Sequence, residues 1–338
     1  MIDPGPRRPR VVLAMRDEAL ARQLLDERAW ARLHRVADVA EGVLRPGAVG
    51  AWDAVLAETD VLLTGWDAPR LDASFLDRAP QLSAVVHAAG TVKWMVTPAV
   101  WERGIRVSTA AEANAIPVAE YALAMILLMG KRAFDAEASL RGVSPRAWDP
   151  FGAFGNNGAV VGIVGASRIG RRLLTLLRPH DLEVLLYDPT VSASDAAGLG
   201  ARPVSLDELL AASDTVSLHA PSLPGTRGMI GARELALMKD GAALVNAARG
   251  SLVDTDALVA ELNTHRLRAA LDVTDPEPLP AGHPLFSAPG VILTPHIAGS
   301  FGNELRRLGA HAVSEIDRFI ATGSFVEEVR QESLAGIA

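Results

Sequence analysis

The 338-residue sequence contains no cysteine. This excludes a disulfide framework, a thiolate metal site and a cysteine nucleophile, and it fits a reducing compartment. Long apolar runs are also missing. The longest, around residues 121–130, is too short to span a bilayer. Arginines precede the apolar run 11–15, but that run is too short for a signal-peptide core. Basic residues are scattered without a polybasic block, and the formal net charge is −7. That balance argues against nucleic acid and anionic membrane as partners. The expectation is a soluble, cytoplasmic protein.

The length allows two domains. Hydrophobic content of 49% with charged content of 22% is ordinary for a globular chain. In the N-terminal third, apolar runs at 10–14, 60–64, 83–87 and 105–108 read as strands. Periodic segments at 18–36, 71–79 and 98–103 read as helices. The alternation predicts a parallel sheet with crossover helices. Residues 118–131 read as a longer, buried helix. Residues 132–157 break the pattern with glycines, prolines and the aromatics Trp148, Phe151 and Phe154. They read as an extended arm, either a docking surface for a second subunit or a loop packed on its own domain.

A second α/β run follows. Strands are expected at 159–164, 183–187, 215–219, 242–247, 269–273 and 291–294. Helices are expected at 168–178, 206–212 and 255–265, with Ser205 and Glu208 as a capping box for the second of these. Six strands with helices between them match a dinucleotide-binding sheet. A final helix is expected at 304–321.

The string from Gly162 to Gly170 follows a strand and opens a helix. Gly165 would make the tight turn, and Gly170 would let the helix sit close to the sheet. The helix start would then offer its free N–H groups to a pyrophosphate. Ser167 stands where the fingerprint has glycine. Asp188 ends the next strand, where a carboxylate can accept hydrogen bonds from ribose hydroxyls. It also repels a 2′-phosphate, which favours NAD over NADP. The plainer reading makes Asp188 a turn former before Pro189.

Three residues just past later strands suit redox chemistry on an acid: Arg249, Glu277 and His296. Residues there face the ligand crevice of an open α/β sheet. Arginine grips a carboxylate by two parallel hydrogen bonds. Histidine moves a proton near neutral pH. A glutamate can orient the imidazole and favour its charged form. Taken singly, each is ordinary. The other seven histidines, His87 and His219 included, read as structural, and their spacing matches no metal-ligand motif. No metal is expected.

The order of these features along one sheet resembles the D-isomer-specific 2-hydroxyacid dehydrogenase family. The segments that carry the likeness are 162–170, Tyr187-Asp188-Pro189, Ser217-Leu218-His219-Ala220-Pro221, 245–250, Leu271-Asp272-Val273 through Glu277-Pro278, and 293–299. The resemblance implies two α/β domains. A Rossmann-type doubly wound parallel sheet, residues 113–303, is inserted into a smaller flavodoxin-like substrate domain, residues 1–112 with the C-terminal helix 304–338. It implies a domain cleft that closes by hinge motion, and a homodimer.

The resemblance also implies site roles. Arg249 would hold the substrate carboxylate and carbonyl, His296 would exchange the proton, and Glu277 would partner His296. NAD would meet Gly165, Ser167, Arg168, Ile169, Gly170, Asp188, His219, Ala220, Pro221, Thr226, Ala247, Ala248, Arg249, Asp272 and His296. Substrate would meet Ala89, Gly90, Thr91, Arg249 and His296. Glu277 replaces the glutamine of formate dehydrogenases, which argues against formate. A chain ending at Ala338 is expected to lack the regulatory domain that some phosphoglycerate dehydrogenases carry. The reading is an NAD-dependent interconversion of a D-2-hydroxy acid and a 2-oxo acid. The alternatives are an NAD-sensing, corepressor-like interaction protein on the same fold and a phosphite-type dehydrogenase. Trp66, Trp94 and Phe301 suggest a pocket for a medium or bulky side chain, or simple packing under loops.

Overall fold

A computed structural model describes residues 7–142, 149, 152 and 154–336. Two compact units form. One holds the chain up to Asn114 and again from Ser300 onward, and the other is Ala115–Gly299.

In the first unit, apolar runs give β1 (Arg10–Ala14), β2 (Asp38–Val39), β3 (Val61–Thr64), β4 (Ala84–His87) and β5 (Arg106–Thr109). They pair in parallel in the order 2-1-3-4-5, and Glu328–Val329 adds an antiparallel edge to β5. This is the flavodoxin-like order. Successive side chains of a strand point to opposite faces. Val11 and Leu13 therefore join one core layer with Leu24, Leu33, Leu308 and Ile316. Val12 and Ala14 join the other with Phe75, Leu76 and Val100. The helix expected over 18–36 is two helices, Glu18–Leu24 and Glu27–Val36. The break comes at Asp26, whose carboxylate accepts the Ala29 N–H at 2.9 Å and caps the second helix.

The chain leaves the first unit within the helix Ala111–Gly130. This helix starts seven residues earlier than its expected start at 118 and runs through Pro117. Its 20 residues make it long and apolar enough to cross a membrane by length and composition, which corrects the shorter run read from the sequence. Here Ala119, Ala122, Ile126 and Met129 pack against Leu173, Leu174 and Leu177 in the core of the second unit. The arm expected over 132–157 is not extended where it is described at its start, because Ala133–Leu140 is helical. Trp148 and Phe151 lie outside the described residues.

The second unit has seven parallel strands among the described residues: β6 (Ala159–Val164), β7 (Leu182–Tyr187), β8 (Arg202–Pro203), β9 (Thr215–Leu218), β10 (Ala243–Asn246), β11 (Arg268–Leu271) and β12 (Val291–Leu293). Their order is β12-β11-β10-β9-β6-β7-β8. The strand order reverses between β6 and β9, so their carboxyl ends form the switch point of a doubly wound, Rossmann-type sheet. The expected six strands omit the two-residue β8. Ser205 caps its helix by accepting the Glu208 N–H at 3.2 Å. Glu208 does not close the expected box, because its carboxylate pairs with Arg202 at 2.8 Å.

Candidate active site

The glycine turn sits at the carboxyl end of β6. Gly165 has φ +99°, and a Cβ there would stand 2.6 Å from the Ala220 nitrogen. A Cβ on Gly170 would stand 2.1 Å from the Gly165 carbonyl oxygen. Only glycine lets the turn, the loop after β9 and the helix Arg168–Leu177 approach this closely. Ser167 is the N-cap of that helix and accepts the Gly170 N–H at 3.3 Å. Arg168 is exposed, while Ile169 packs on a small core of Val118, Ala247 and Ala298. A helix start presents first-turn N–H groups that have no intrahelical acceptor. The glycines let this helix start close against the turn at the carboxyl end of β6, and a helix start there fits a pyrophosphate, so the residues present suit a dinucleotide.

Asp188 follows β7. Its carboxylate accepts the Ala166 N–H at 2.7 Å and both the N–H and hydroxyl of Thr190, at 2.8 and 2.7 Å. Partial desolvation raises its pKa, but these bonds together with Arg171 outweigh that and hold it below the usual carboxylate range. Asp188 is thus both a turn former and an anion braced against the glycine turn. His219 is buried and its Nε2 meets the Ser217 hydroxyl at 2.8 Å. Burial pulls its pKa down to about 4, so the ring is neutral near pH 7. Ala220 and Pro221 continue this loop. The Thr226 hydroxyl donates to the Pro221 carbonyl at 2.6 Å and accepts the Leu223 N–H at 2.9 Å, so it braces the loop from within.

Arg249 follows β10, behind the buried Ala247 and Ala248. Its guanidinium is half-buried and donates from Nη1 to the Ala248 carbonyl at 2.6 Å. Among the described residues it has no carboxylate within ion-pair distance. Burial lowers its pKa, and the field of Glu277 opposes that shift. Asn246, at the end of β10, holds the backbone of this loop with its side-chain amide, at 2.9 and 3.0 Å. A Cβ on Gly250 would lie 2.0 Å from the carbonyl carbon and oxygen of Thr274. The Arg249 loop therefore rests backbone to backbone on the loop that leads to Glu277.

Glu277 Oε1 and His296 Nδ1 are 2.7 Å apart, with both side chains partly exposed. A carboxylate only accepts, so Nδ1 carries the shared hydrogen and Nε2 is left to exchange a proton. His296 has φ +56°, a left-handed conformation that is costly outside glycine. It is held there because its N–H donates to the Asp272 and Thr294 carbonyls at 2.9 and 3.0 Å. The buried Asp272 carboxylate accepts the Thr294 hydroxyl at 2.6 Å and the N–H groups of Ile297 and Ala298 at 2.7 and 2.9 Å. Since Thr294 donates its one hydroxyl hydrogen to Asp272, the Tyr121 hydroxyl, 2.7 Å away, donates to Thr294. Desolvation, helped by the Asp272 charge and opposed by the bond to Thr294, raises the Tyr121 pKa.

Arg249, Glu277 and His296 thus share the carboxyl-end loops of one sheet with the glycine turn, Asp188 and the loop after β9. Ala89, Gly90 and Thr91 follow β4 in the first unit, where the Ala89 carbonyl accepts the Ala110 N–H at 3.0 Å. Trp94 and Phe301 are also in that unit and are 45% and 56% exposed, whereas Trp66 packs against the core. Asn246, Gly250, Tyr121 and Thr294 carry no role in the sequence reading. A lone amide inside the apolar run of β10 was the one visible signal among them.

Comparison with known proteins places this geometry. Residues 123–298 match the model described as D-isomer specific 2-hydroxyacid dehydrogenase, NAD binding domain. The chain is 37% identical over 278 residues to D-3-phosphoglycerate dehydrogenase of Mycobacterium leprae, covering 81% of this chain and 52% of that protein. It spans about half the length of the phosphoglycerate dehydrogenases it matches first. It is 36% identical over 252 residues to (S)-sulfolactate dehydrogenase of Chromohalobacter salexigens, covering 74% of this chain and 81% of that protein. The crystal structure of apo Rhodotorula graminis D-mandelate dehydrogenase superposes with TM-score 0.80 at 25% identity, covering 96% of this chain and 98% of that one. The match over more than half its length shows that this chain belongs to the D-isomer specific 2-hydroxyacid dehydrogenase family and carries that family's NAD binding domain.

Proposed function

We propose that the protein is an NAD-dependent oxidoreductase that interconverts a D-2-hydroxy acid and a 2-oxo acid. The observation that carries this reading is the 2.7 Å His296–Glu277 pair on the same sheet end as a half-buried arginine with no ion-pair partner among the described residues. A half-buried cation with no carboxylate at ion-pair distance among the described residues suits an anionic substrate.

The turn at 165–170 would hold the pyrophosphate, and Asp188 the adenosine ribose. Bound NADH supplies a hydride to C2 of the oxo acid. Arg249 grips the carboxylate and draws electron density toward the C2 carbonyl oxygen. His296 gives the proton on Nε2 to that oxygen as the carbonyl becomes a hydroxyl. Glu277 keeps Nδ1–H turned toward itself, so Nε2 stays aimed at the substrate, and its negative charge stabilises the ring cation before transfer. In oxidation, neutral Nε2 takes the hydroxyl proton. General acid–base help of this kind is worth about a hundred- to ten-thousandfold.

The relatives named for phosphoglycerate, sulfolactate and mandelate support a 2-hydroxy acid as the substrate class. A homodimer is part of the proposal. It is supported by the exposed apolar side chains Leu128 and Leu140 on neighbouring helices of the second unit. The test is NADH oxidation with a panel of 2-oxo acids from glyoxylate through hydroxypyruvate to phenylpyruvate, beside NAD reduction by phosphite. Turnover of at least one oxo acid supports the proposal. Turnover of phosphite alone, or binding of NADH without turnover, overturns it in favour of a phosphite dehydrogenase or an NAD-sensing interaction protein.

A further inference from the structure

Asn246 ends β10 inside an otherwise apolar run and is 1% exposed. Its side-chain amide is engaged at both ends with the loop that follows. Oδ1 accepts the Ala248 N–H at 3.0 Å, and Nδ2 donates to the Arg249 carbonyl at 2.9 Å. Its own carbonyl accepts the Asp272 N–H at 2.9 Å, which fixes the strand end from which the side chain reaches out. One planar group therefore brackets the backbone before and after the Cα of Arg249. The guanidinium folds onto the Ala248 carbonyl, inside the bracketed segment. Beyond it, Gly250 seats the loop on Thr274 and Asp275.

We infer that Asn246 is a positioning residue that sets the direction in which Arg249 leaves the backbone and so its grip on the substrate carboxylate. The inference rests on the reading of Arg249 as that grip. The site requires an acceptor and a donor on one short, flat side chain. Leucine has a similar volume but would strand the buried Ala248 N–H and leave the Arg249 carbonyl with only the Leu252 N–H at 3.3 Å, and the loop would move to satisfy the lost bonds. Aspartate keeps the acceptor and loses the donor. A loop shift of about 1 Å under a substrate-holding group costs on the order of a hundredfold in rate.

The test is a four-enzyme cycle of wild type, Asn246→Leu, Arg249→Lys and the double variant. The readouts are kcat and KM for the best 2-oxo acid, and the NADH dissociation constant from fluorescence. Asn246→Leu is expected to lower kcat/KM by about thirtyfold, mainly through KM, with NADH affinity within about twofold. In the Arg249→Lys background the same change is expected to cost less than about threefold, because the group being aimed is already lost. Asn246→Asp should fall between Asn246→Leu and wild type, and it carries the same cycle if Asn246→Leu does not fold. Equal losses in the two backgrounds, a loss confined to NADH affinity, or unchanged kcat/KM would overturn the inference. If Arg249→Lys alone leaves kcat/KM unchanged, the reading of Arg249 fails and this inference falls with it. An impaired Arg249→Lys with an additive cycle removes the role of Asn246 only.

Discussion

Gly250→Ala probes the contact that sets the Arg249 loop against the Glu277 loop. The added methyl would meet the Thr274 carbonyl carbon and oxygen at 2.0 Å and the Asp275 nitrogen at 2.6 Å. All three are backbone atoms, so no side chain can turn away to make room. Ordinary contact begins near 3.4 Å, so the 274–275 backbone must retreat by roughly 1.4 Å. Thr255 resists the retreat by donating its hydroxyl to the Asp275 carbonyl at 3.1 Å, and Arg227 resists it by pairing with the Asp275 carboxylate at 2.8 Å. Overpacking of this kind destabilises by about 1–3 kcal/mol, a loss of a few degrees in Tm for a unit of this size. Misplacing Glu277 and Arg249 by about 1 Å costs on the order of a hundredfold in kcat/KM, or about 2.7 kcal/mol of barrier. The assay pairs steady-state reduction of the best 2-oxo acid with NADH titration by fluorescence. The glycine turn is built by other loops, so NADH affinity is expected to change by less than about threefold while turnover falls. A Gly250→Ala protein with kcat/KM within threefold of wild type would show that the two loops are not in register as described.

Three further outcomes follow from the structure. Asp188 is an anion braced at the end of β7, so NADH is expected to be used at least about tenfold better than NADPH, a difference of about 1.4 kcal/mol. Asp188→Ser is expected to narrow that gap and, by releasing the Ala166 N–H, to weaken NADH binding too; a wild-type preference for NADPH would contradict the assignment. His87 and His219, one in each unit, are buried with pKa values pulled from 6.5 to about 4. Their folded values lie below the unfolded one, so each contributes stability that is complete above about pH 6.5 and is lost as pH falls toward 4, up to about 3 kcal/mol each. His87→Asn and His219→Gln keep a polar partner for Thr64 and Ser217 without the titration. Together they are expected to flatten the fall of Tm between about pH 7 and pH 5, and parallel slopes would refute the assignment. Arg249→Lys keeps the charge but loses the two-pronged geometry, so KM is expected to rise and kcat to fall together; an unchanged kcat/KM would mean that Arg249 does not face the substrate.

Much of the fold was legible because buried parallel strands read as unbroken apolar runs. β1 and β6 begin and end where the sequence placed them. Short edge elements gave no such signal: Asp38–Val39, Arg202–Pro203 and Glu328–Val329 have two residues each. The split between Glu18–Leu24 and Glu27–Val36 was hidden because apolar spacing continues across it, and the cap at Asp26 shows only once the Ala29 N–H is placed. Arg249, Glu277 and His296 could be picked out because each follows an apolar strand. Their supports could not. Asn246, Thr294 and Tyr121 act through hydrogen bonds that depend on which loops meet, and Gly250 acts through a backbone approach to a segment 24 residues on. Asp272 was read toward the cofactor. The structure shows its carboxylate accepting three donors from the loop that carries His296.

The central claim is hydride transfer between NADH and C2 of a 2-oxo acid with the proton supplied by His296. It is tested most directly with NADH carrying deuterium at both C4 positions and the best oxo acid of the panel, with the product resolved by chiral chromatography and mass spectrometry. The expected result is one deuterium at C2 of the D-hydroxy acid. In His296→Ala the yield is expected to fall by about a hundredfold or more while NADH still binds. An unlabelled product, an L product, or undiminished turnover by His296→Ala would contradict it.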